Sequence, residues 1–282
     1  MSKVPLVVFH YPCMDGYTAA WACWLVHPDW EFVPGVHGYT VPLEDMVGRD
    51  VYFLDFSYKR PVMEQVINVA RSVTVLDHHV SAESDLKELF DLKQIKGVFD
   101  AKHSGAYLAW RHFHPTEEVP QLVLFVEDRD LWLFRYEETR PVCDAIFSHA
   151  YSFQMWNNFN TMCEAGYDGW SSLVKEGLAI GRKQAKDVAE LTAKLKYHMM
   201  IAGKVVPVVN VPYIYASDVG ELLYQDPKVP FAATYFYDGD KYIFSLRSSE
   251  TGDDVSEVAK VYGGGGHKHS AGFQISRLED LR

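Results

Sequence analysis

Residues 73–79 carry the densest chemistry in the chain: Val73, Thr74, Val75 and Leu76 lead into Asp77, His78 and His79. An apolar, β-branched run ending in a carboxylate and two imidazoles offers hard oxygen and nitrogen donors suited to a divalent ion. Short Asp/His strings also occur in ordinary loops, so the triplet gains weight only if other strands deliver ligands to the same edge. Residues 6–9 are apolar and run into His10, then Cys13, Asp15 and Gly16. Residues 51–54 are apolar and run into Asp55. Each alone is a common way for a strand to end. Three in the same order, with Glu127, Asp128, Arg129 and Asp130 added from mid-chain, describe one ligand-rich edge.

The elements that must position these residues follow from the pattern. Short apolar runs ending in polar breaks read as buried parallel strands, and open α/β sheets bind ligands beyond the carboxyl ends of their strands. Residues 17–27 are apolar nearly all round and predict a buried helix. Pro61 suits the first position of a helix reaching Ala70, which completes a β-α-β unit that leaves Asp55 and Asp77 on one edge. Helices are also expected over 83–91 and over 104–112, the latter with Ser104 as N-cap. Apolar spacings of three and four predict a connecting helix over 170–200, kinked near Gly177 or Gly181. Beyond it, strands are expected over 204–211, 231–237 and 241–246, the last two joined by a two-residue hairpin turn, Asp238-Gly239, with short helices over 219–224 and 255–261. The expected fold is α/β, with a parallel-sheet domain over 1–168, a connecting helix over 169–200 and a smaller α+β domain over 201–282.

Of the 282 residues 48% are hydrophobic and 14% aromatic, ample for a globular core. The formal net charge is −11, from 38 acids against 27 Lys and Arg. That balance argues against a non-specific binder of long duplex nucleic acid, which needs a basic track. It leaves room for a small anionic substrate, because bound metals reverse the sign inside a cleft. Cys13, Cys23, Cys143 and Cys163 form no C-x-x-C pair. With no signal peptide and no stretch long enough for a membrane span, a cytoplasmic protein is expected.

His10, Asp15, Asp55, His78 and Asp128, with Asp130 as the alternative to Asp128, form an oxygen-rich set that favours manganese over zinc. Two ions ~3.5–4 Å apart and bridged by one aspartate would activate a shared water and hold the departing oxygen of a phosphoryl transfer. Four successive glycines, Gly263 to Gly266, are followed by His267, Lys268 and His269. Such a turn offers a concave set of backbone N–H groups for an anion, and Arg247 a bidentate grip on phosphate.

Asp77-His78-His79 together with residues 263–273, GGGGHKHSAGF, resembles the DHH phosphoesterase superfamily with its C-terminal DHH-associated domain. The Ser104-Gly105-Ala106 helix start, residues 127–132 and the Ser245–Ser248 strand end fit the same group, and the oligoribonuclease and cyclic-nucleotide phosphodiesterase branch is the nearest. The resemblance implies two divalent ions on His10, Asp15, Asp55, His78 and Asp128, with Asp55 as the bridge. It further implies Asp77 orienting a ligand, His79 facing the phosphate, and Ser104, Arg247, Gly265, Gly266 and His267 on the substrate side. One departure stands out: the family's first motif reads Asp-x-Asp-Gly, and here Cys13 fills the first slot. Cys13 is a further candidate ligand. The reading from chemistry keeps it protonated, with His10, Asp55 and water holding that ion, because one soft donor among hard ones gains little.

The activity expected is hydrolysis of a small nucleotide substrate held between two domains (a short oligoribonucleotide, a linear or cyclic dinucleotide, or adenosine bisphosphate). Water attacks phosphorus in line, with no protein nucleophile. A polyphosphate substrate is the first alternative, and a non-catalytic nucleotide-binding module, suggested by Cys13, is the second. Neither a long duplex nor a membrane is an expected partner.

Overall fold

The computed structural model describes residues 3–36 and 38–281. The chain divides into two compact units, Met1–Gly181 and Arg182–Arg282.

The first unit is built on β1 (Leu6–His10), α1 (Met14–Val26), β2 (Glu31–Gly35), α2 (Leu43–Met46), β3 (Asp50–Leu54), α3 (Arg60–Val69), β4 (Ser72–Asp77), α4 (Val80–Asp91) and β5 (Lys96–Phe99). Five helices follow: α5 (Gly105–Phe113), α6 (Gln121–Asp130), α7 (Thr139–Phe147), α8 (Phe153–Glu164) and α9 (Tyr167–Leu195). The sheet order is β2-β1-β3-β4-β5, with every pair parallel. Side chains alternate across it, as the two-residue period of a strand requires. Val7, Leu54 and Leu76 pack with α1, α5, α6 and α8 on one face, while Val8, Phe53 and Val75 pack with Met63 and Leu86 on the other.

Register does the positioning. Phe9 pairs with Leu54, and Leu54 with Leu76. The next residue on each strand is therefore His10, Asp55 or Asp77, so three polar side chains leave the sheet in one row. Helix α1 is drawn against this edge: a Cβ on Gly16 would lie 2.4 Å from the His10 carbonyl oxygen. Gly16 was expected to precede the helix; it lies within α1, and what it provides is this close approach. Behind the edge, Trp21 and Trp156 are fully buried. Their indole N–H groups donate to Asn157 Oδ1 at 2.7 Å and Thr18 Oγ1 at 2.8 Å, so burying them strands no polar atom.

Helix α9 is one element and ends at Leu195. Gly177 serves close packing, since a Cβ there would meet the Pro141 carbonyl oxygen of α7 at 1.7 Å. The expected helix to residue 200 is corrected: Tyr197–Ile201 is a strand, paired antiparallel with the next through a turn in which Ala202 and Gly203 both take positive φ.

The second unit contains that strand, β6 (Tyr197–Ile201), then β7 (Lys204–Asn210), α10 (Ala216–Tyr224), β8 (Ala232–Tyr237), β9 (Tyr242–Arg247), α11 (Val255–Lys260), β10 (Gly265–His267) and β11 (Ser270–Ile275). The sheet order is β10-β11-β9-β8-β7-β6, parallel only between β7 and β8. Its core gathers Phe231, Phe244, Leu246 and Phe273. The hairpin turns at Asp238 and Gly239 but through residues 238–241 rather than the two expected, with Gly239 at φ 108° and the Asp238 carboxylate accepting from the N–H groups of Asp240 and Lys241. No helix among the described residues is long and apolar enough to cross a membrane.

Candidate metal centre

Asp55 leaves β3 with φ of 54°, a left-handed conformation that aspartate tolerates better than most residues. Its carboxylate is buried and lies between two imidazoles, with Oδ2 3.3 Å from His10 Nδ1 and Oδ1 3.1 Å from His78 Nε2. Oδ1 nonetheless accepts no well-directed hydrogen bond among the described residues. His78 Nε2 also lies 3.9 Å from Asp15 Oδ2 and 3.5 Å from Asp130 Oδ2. Asp15 is fixed by the start of α5, where the backbone N–H groups of Gly105 and Ala106 donate to it at 2.6 and 3.0 Å. Gly105 must be glycine there, because a Cβ would fall 2.4 Å from Asp55 Cβ.

Asp77 shapes the turn that follows β4. Its Oδ1 accepts from the backbone N–H groups of His78 at 2.7 Å and His79 at 3.2 Å, and lies 2.7 Å from His79 Nδ1. It therefore orients both histidines without joining His10, Asp15 or Asp130.

In the first unit the groups whose ligand atoms all lie within 4.8 Å of one another are His10, Cys13 and Asp55; Asp15, His78 and Asp130; and Asp55, Asp77 and His79. Four of the five expected ligands, His10, Asp15, Asp55 and His78, come together. Asp128 does not. Its buried carboxylate accepts from Arg135 N and Nε at 3.0 Å each, Thr139 Oγ1 at 2.6 Å and Tyr136 N at 3.4 Å. Burial works against its charge, but these bonds hold its pKa below the usual carboxylate range. The side chain two residues on, Asp130, takes the place beside His78. Both lie near the end of α6, where a step of two residues turns a side chain through about 200°, so the string 127–130 could not decide between them. Ser104, expected on the substrate side and as an N-cap, stands at the start of α5. It is fully buried, and its Oγ accepts from Tyr107 N at 3.3 Å, so it caps the helix whose N–H groups hold Asp15. His103, not singled out from sequence, lies 2.7 Å from Glu127 Oε1 and stacks on Tyr107.

The electrostatics are those of a cation site. Burial and the charges of Asp55 and Asp130 push the Asp15 pKa well up, and burial with Asp55 raises Asp130 despite His78. Burial disfavours imidazolium at His78, but the Asp55 contact and the charges of Asp130, Asp55 and Asp15 outweigh it and hold its pKa up at about 10. Asp55 stays ionised: burial raises it, and the two histidines pull it well below the carboxylate range. So many carboxylates at a buried edge call for compensating positive charge, from protons or from metal ions. The donor set and the under-used Asp55 Oδ1 fit a divalent ion.

In the second unit Arg247 pairs with Ser270, and Ser270 with His267. The three share one face of the sheet, with Arg247 and His267 roughly 9–10 Å apart across two strand spacings. Arg247 Nη2 donates to Ser217 Oγ at 2.9 Å. The glycine run is not the irregular turn expected. Gly265–His267 is an edge strand, and Gly264 and Gly266 are needed for close approach, since a Cβ on them would meet the Gly272 carbonyl oxygen at 2.1 Å and Ala271 Cα at 2.6 Å.

Residues 214–282 match the model of the DHHA1 domain family. The sequence is 27% identical to uncharacterized protein R106 of Acanthamoeba polyphaga mimivirus, over 98% of this chain and 69% of that one. The fold is shared with the DHH domain of a member of a ribosomal-protein family, with a TM-score of 0.59 and 13% identity, covering 96% of this chain and 82% of that one. A pGpG-specific phosphodiesterase from Vibrio cholerae aligns over 99% of this chain and 95% of its own, with a TM-score of 0.49 and 17% identity. Residues 214–282 thus match a DHHA1 domain, and the chain shares its fold with a DHH domain.

Proposed function

We propose that this chain is a divalent-metal-dependent phosphoesterase acting on a small nucleotide. The observation that carries the reading is the Asp55 carboxylate shared between His10 and His78, with one buried oxygen short of a hydrogen bond and Asp15 and Asp130 alongside. His10 and Asp55 would hold one ion, and Asp15, Asp55, His78 and Asp130 a second, with manganese suited to the oxygen-rich set. Bound there, the ions supply an activated water and neutralise charge on the phosphoryl oxygens.

The remaining roles belong to the protein itself. Asp77 fixes His79 through Nδ1, so Nε2 is the nitrogen assigned to a phosphate oxygen. Burial disfavours charge on His79, but Asp77 outweighs it and raises its pKa, which suits a group facing a dianion. Arg247 and His267, on one sheet face, are assigned to a second phosphate or to the sugar–phosphate backbone. No serine, threonine or cysteine is placed as an attacking group; water attacks in line, and the aspartates and histidines hold the geometry.

A screen of linear dinucleotides, cyclic dinucleotides, short oligoribonucleotides, adenosine bisphosphate and polyphosphate, with manganese supplied, tests this reading. Turnover of at least one nucleotide with discrimination among bases is expected. Hydrolysis of polyphosphate alone would overturn the nucleotide assignment, and no turnover of any substrate would overturn the enzymatic one.

A further inference from the structure

We propose that Cys13 is a metal ligand, so that the first unit holds two unlike ions: a sulfur-ligated ion of the zinc, iron(II) or cobalt(II) class on His10, Cys13 and Asp55, and a hard ion such as manganese on Asp15, His78 and Asp130. The inference rests on the reading that this edge binds metal, and it reverses the expectation from sequence of a bystander thiol.

Three observations support it. Ligand atoms of His10, Cys13 and Asp55 already lie within 4.8 Å of one another. A tetrahedral ion with bonds of ~2.0–2.3 Å sets its donors roughly 3.5 Å apart, so small side-chain shifts close the site. Asp55 is 1% exposed and turns Oδ2 to this group, 3.3 Å from His10 Nδ1, while its Oδ1, on the His78 side, accepts no well-directed hydrogen bond among the described residues; a buried carboxylate so placed is suited to cations on both sides. Finally, the four cysteines divide by environment. Cys23, Cys143 and Cys163 are buried in one apolar cluster with Trp21, Phe125 and Phe159. Cys13 is half-buried and sits among an imidazole and a carboxylate.

The two positions therefore differ in donor chemistry. One combines nitrogen, sulfur and oxygen, a mixture that suits zinc and its neighbours. The other has one nitrogen and two carboxylates, which suits manganese or magnesium. Asp55 can serve both, one oxygen facing His10 and the other His78. On binding, the Cys13 thiol gives up its proton to solvent and forms the metal–sulfur bond.

The test is cobalt(II) titration of the full-length chain, stripped with a chelator and kept reduced and anaerobic. A near-ultraviolet sulfur-to-cobalt charge-transfer band should grow and saturate at one equivalent. Cys13→Ser should lack the band, lose at least ~100-fold in zinc affinity, and keep its manganese position within a few-fold. Cys13→Asp should lack the band and bind two manganese ions. Binding of two cobalt ions to the wild-type chain without the band would overturn Cys13 as a ligand while leaving the metal centre standing. Failure of the wild-type chain to bind cobalt or manganese at all would overturn both. The band is read on the unmutated protein, so a misfolded variant cannot imitate either result.

Discussion

One carboxylate of Asp55 lies between two imidazoles, Oδ2 3.3 Å from His10 Nδ1 and Oδ1 3.1 Å from His78 Nε2. The two histidines are 68 positions apart in sequence, at the ends of different strands, and neither could be paired with Asp55 by spacing alone. The parallel register of β1, β3 and β4 makes the pairing. An aspartate presenting each oxygen to a different histidine suits the bridging role proposed for it.

Asp130 and Asp128 should behave in opposite ways. Asp130→Asn removes a carboxylate beside His78 and should weaken manganese binding, with little change in melting temperature. Asp128→Asn disturbs a buried carboxylate that accepts four hydrogen bonds, and should cost about 2–3 kcal/mol of stability. Isothermal titration and thermal denaturation of both variants separate the roles. Loss of metal from the Asp128 variant, with the fold retained, would return that residue to the ligand set.

Metal binding should release protons and tighten as pH rises. In the ion-free protein the pKa values of Asp15 and Asp130 are raised, and His78 is held up at about 10. An incoming ion must displace those protons, and higher pH weakens that competition. The linked effect on stability follows from the sign of the shifts. The folded pKa of His78 lies above its unfolded value, so its contribution is complete below about 6.5 and is lost as pH rises towards 10. Raised aspartate pKa values act in the same sense from lower pH. The chelator-treated chain should therefore melt at lower temperature as pH rises through that window, and saturating manganese should remove most of the slope. A metal affinity that does not change with pH would show that the cluster carries no protons to displace.

Arg247→Ala and His267→Ala should raise KM about ten-fold or more with metal content unchanged, because both belong to the second unit and the ligands proposed above to the first. Arg247→Lys should recover only part of the loss, since an ammonium cannot reproduce the planar, two-pronged contact of a guanidinium. Metal analysis alongside steady-state kinetics checks this. Depleted metal in either alanine variant would place that side chain on the ion.

The parallel sheet, the polar ends of its strands and the α+β character of the C-terminal unit were legible in the sequence, because apolar runs ending in His10, Asp55 and Asp77 announce both strand and exit. Orientation at a helix end was not legible. Asp128 and Asp130 sit in the same acidic string, and only tertiary packing against Arg135 and Thr139 separates them. Nor could strand pairing across a short turn be foreseen for Tyr197–Ile201, whose residues extend a helical pattern until Ala202 and Gly203 turn the chain back. The glycine run signalled close backbone approach; that its residues form an edge strand depends on Ser270–Ile275 beside it.

Asp55→Asn is the most telling substitution. It removes the negative charge but keeps the side-chain shape and the tolerance for positive φ that this position requires, so the fold should survive. The measurement is manganese-dependent hydrolysis of a linear dinucleotide, or whichever nucleotide the screen finds best, by wild-type and Asp55→Asn chains first stripped with a chelator. The wild-type chain should be inactive when stripped and regain turnover with manganese. The variant, folded by circular dichroism, should stay at least ~100-fold slower at any manganese concentration. Near-normal turnover by Asp55→Asn, or undiminished turnover by the stripped wild-type chain, would show that no ion bridged by Asp55 performs the chemistry.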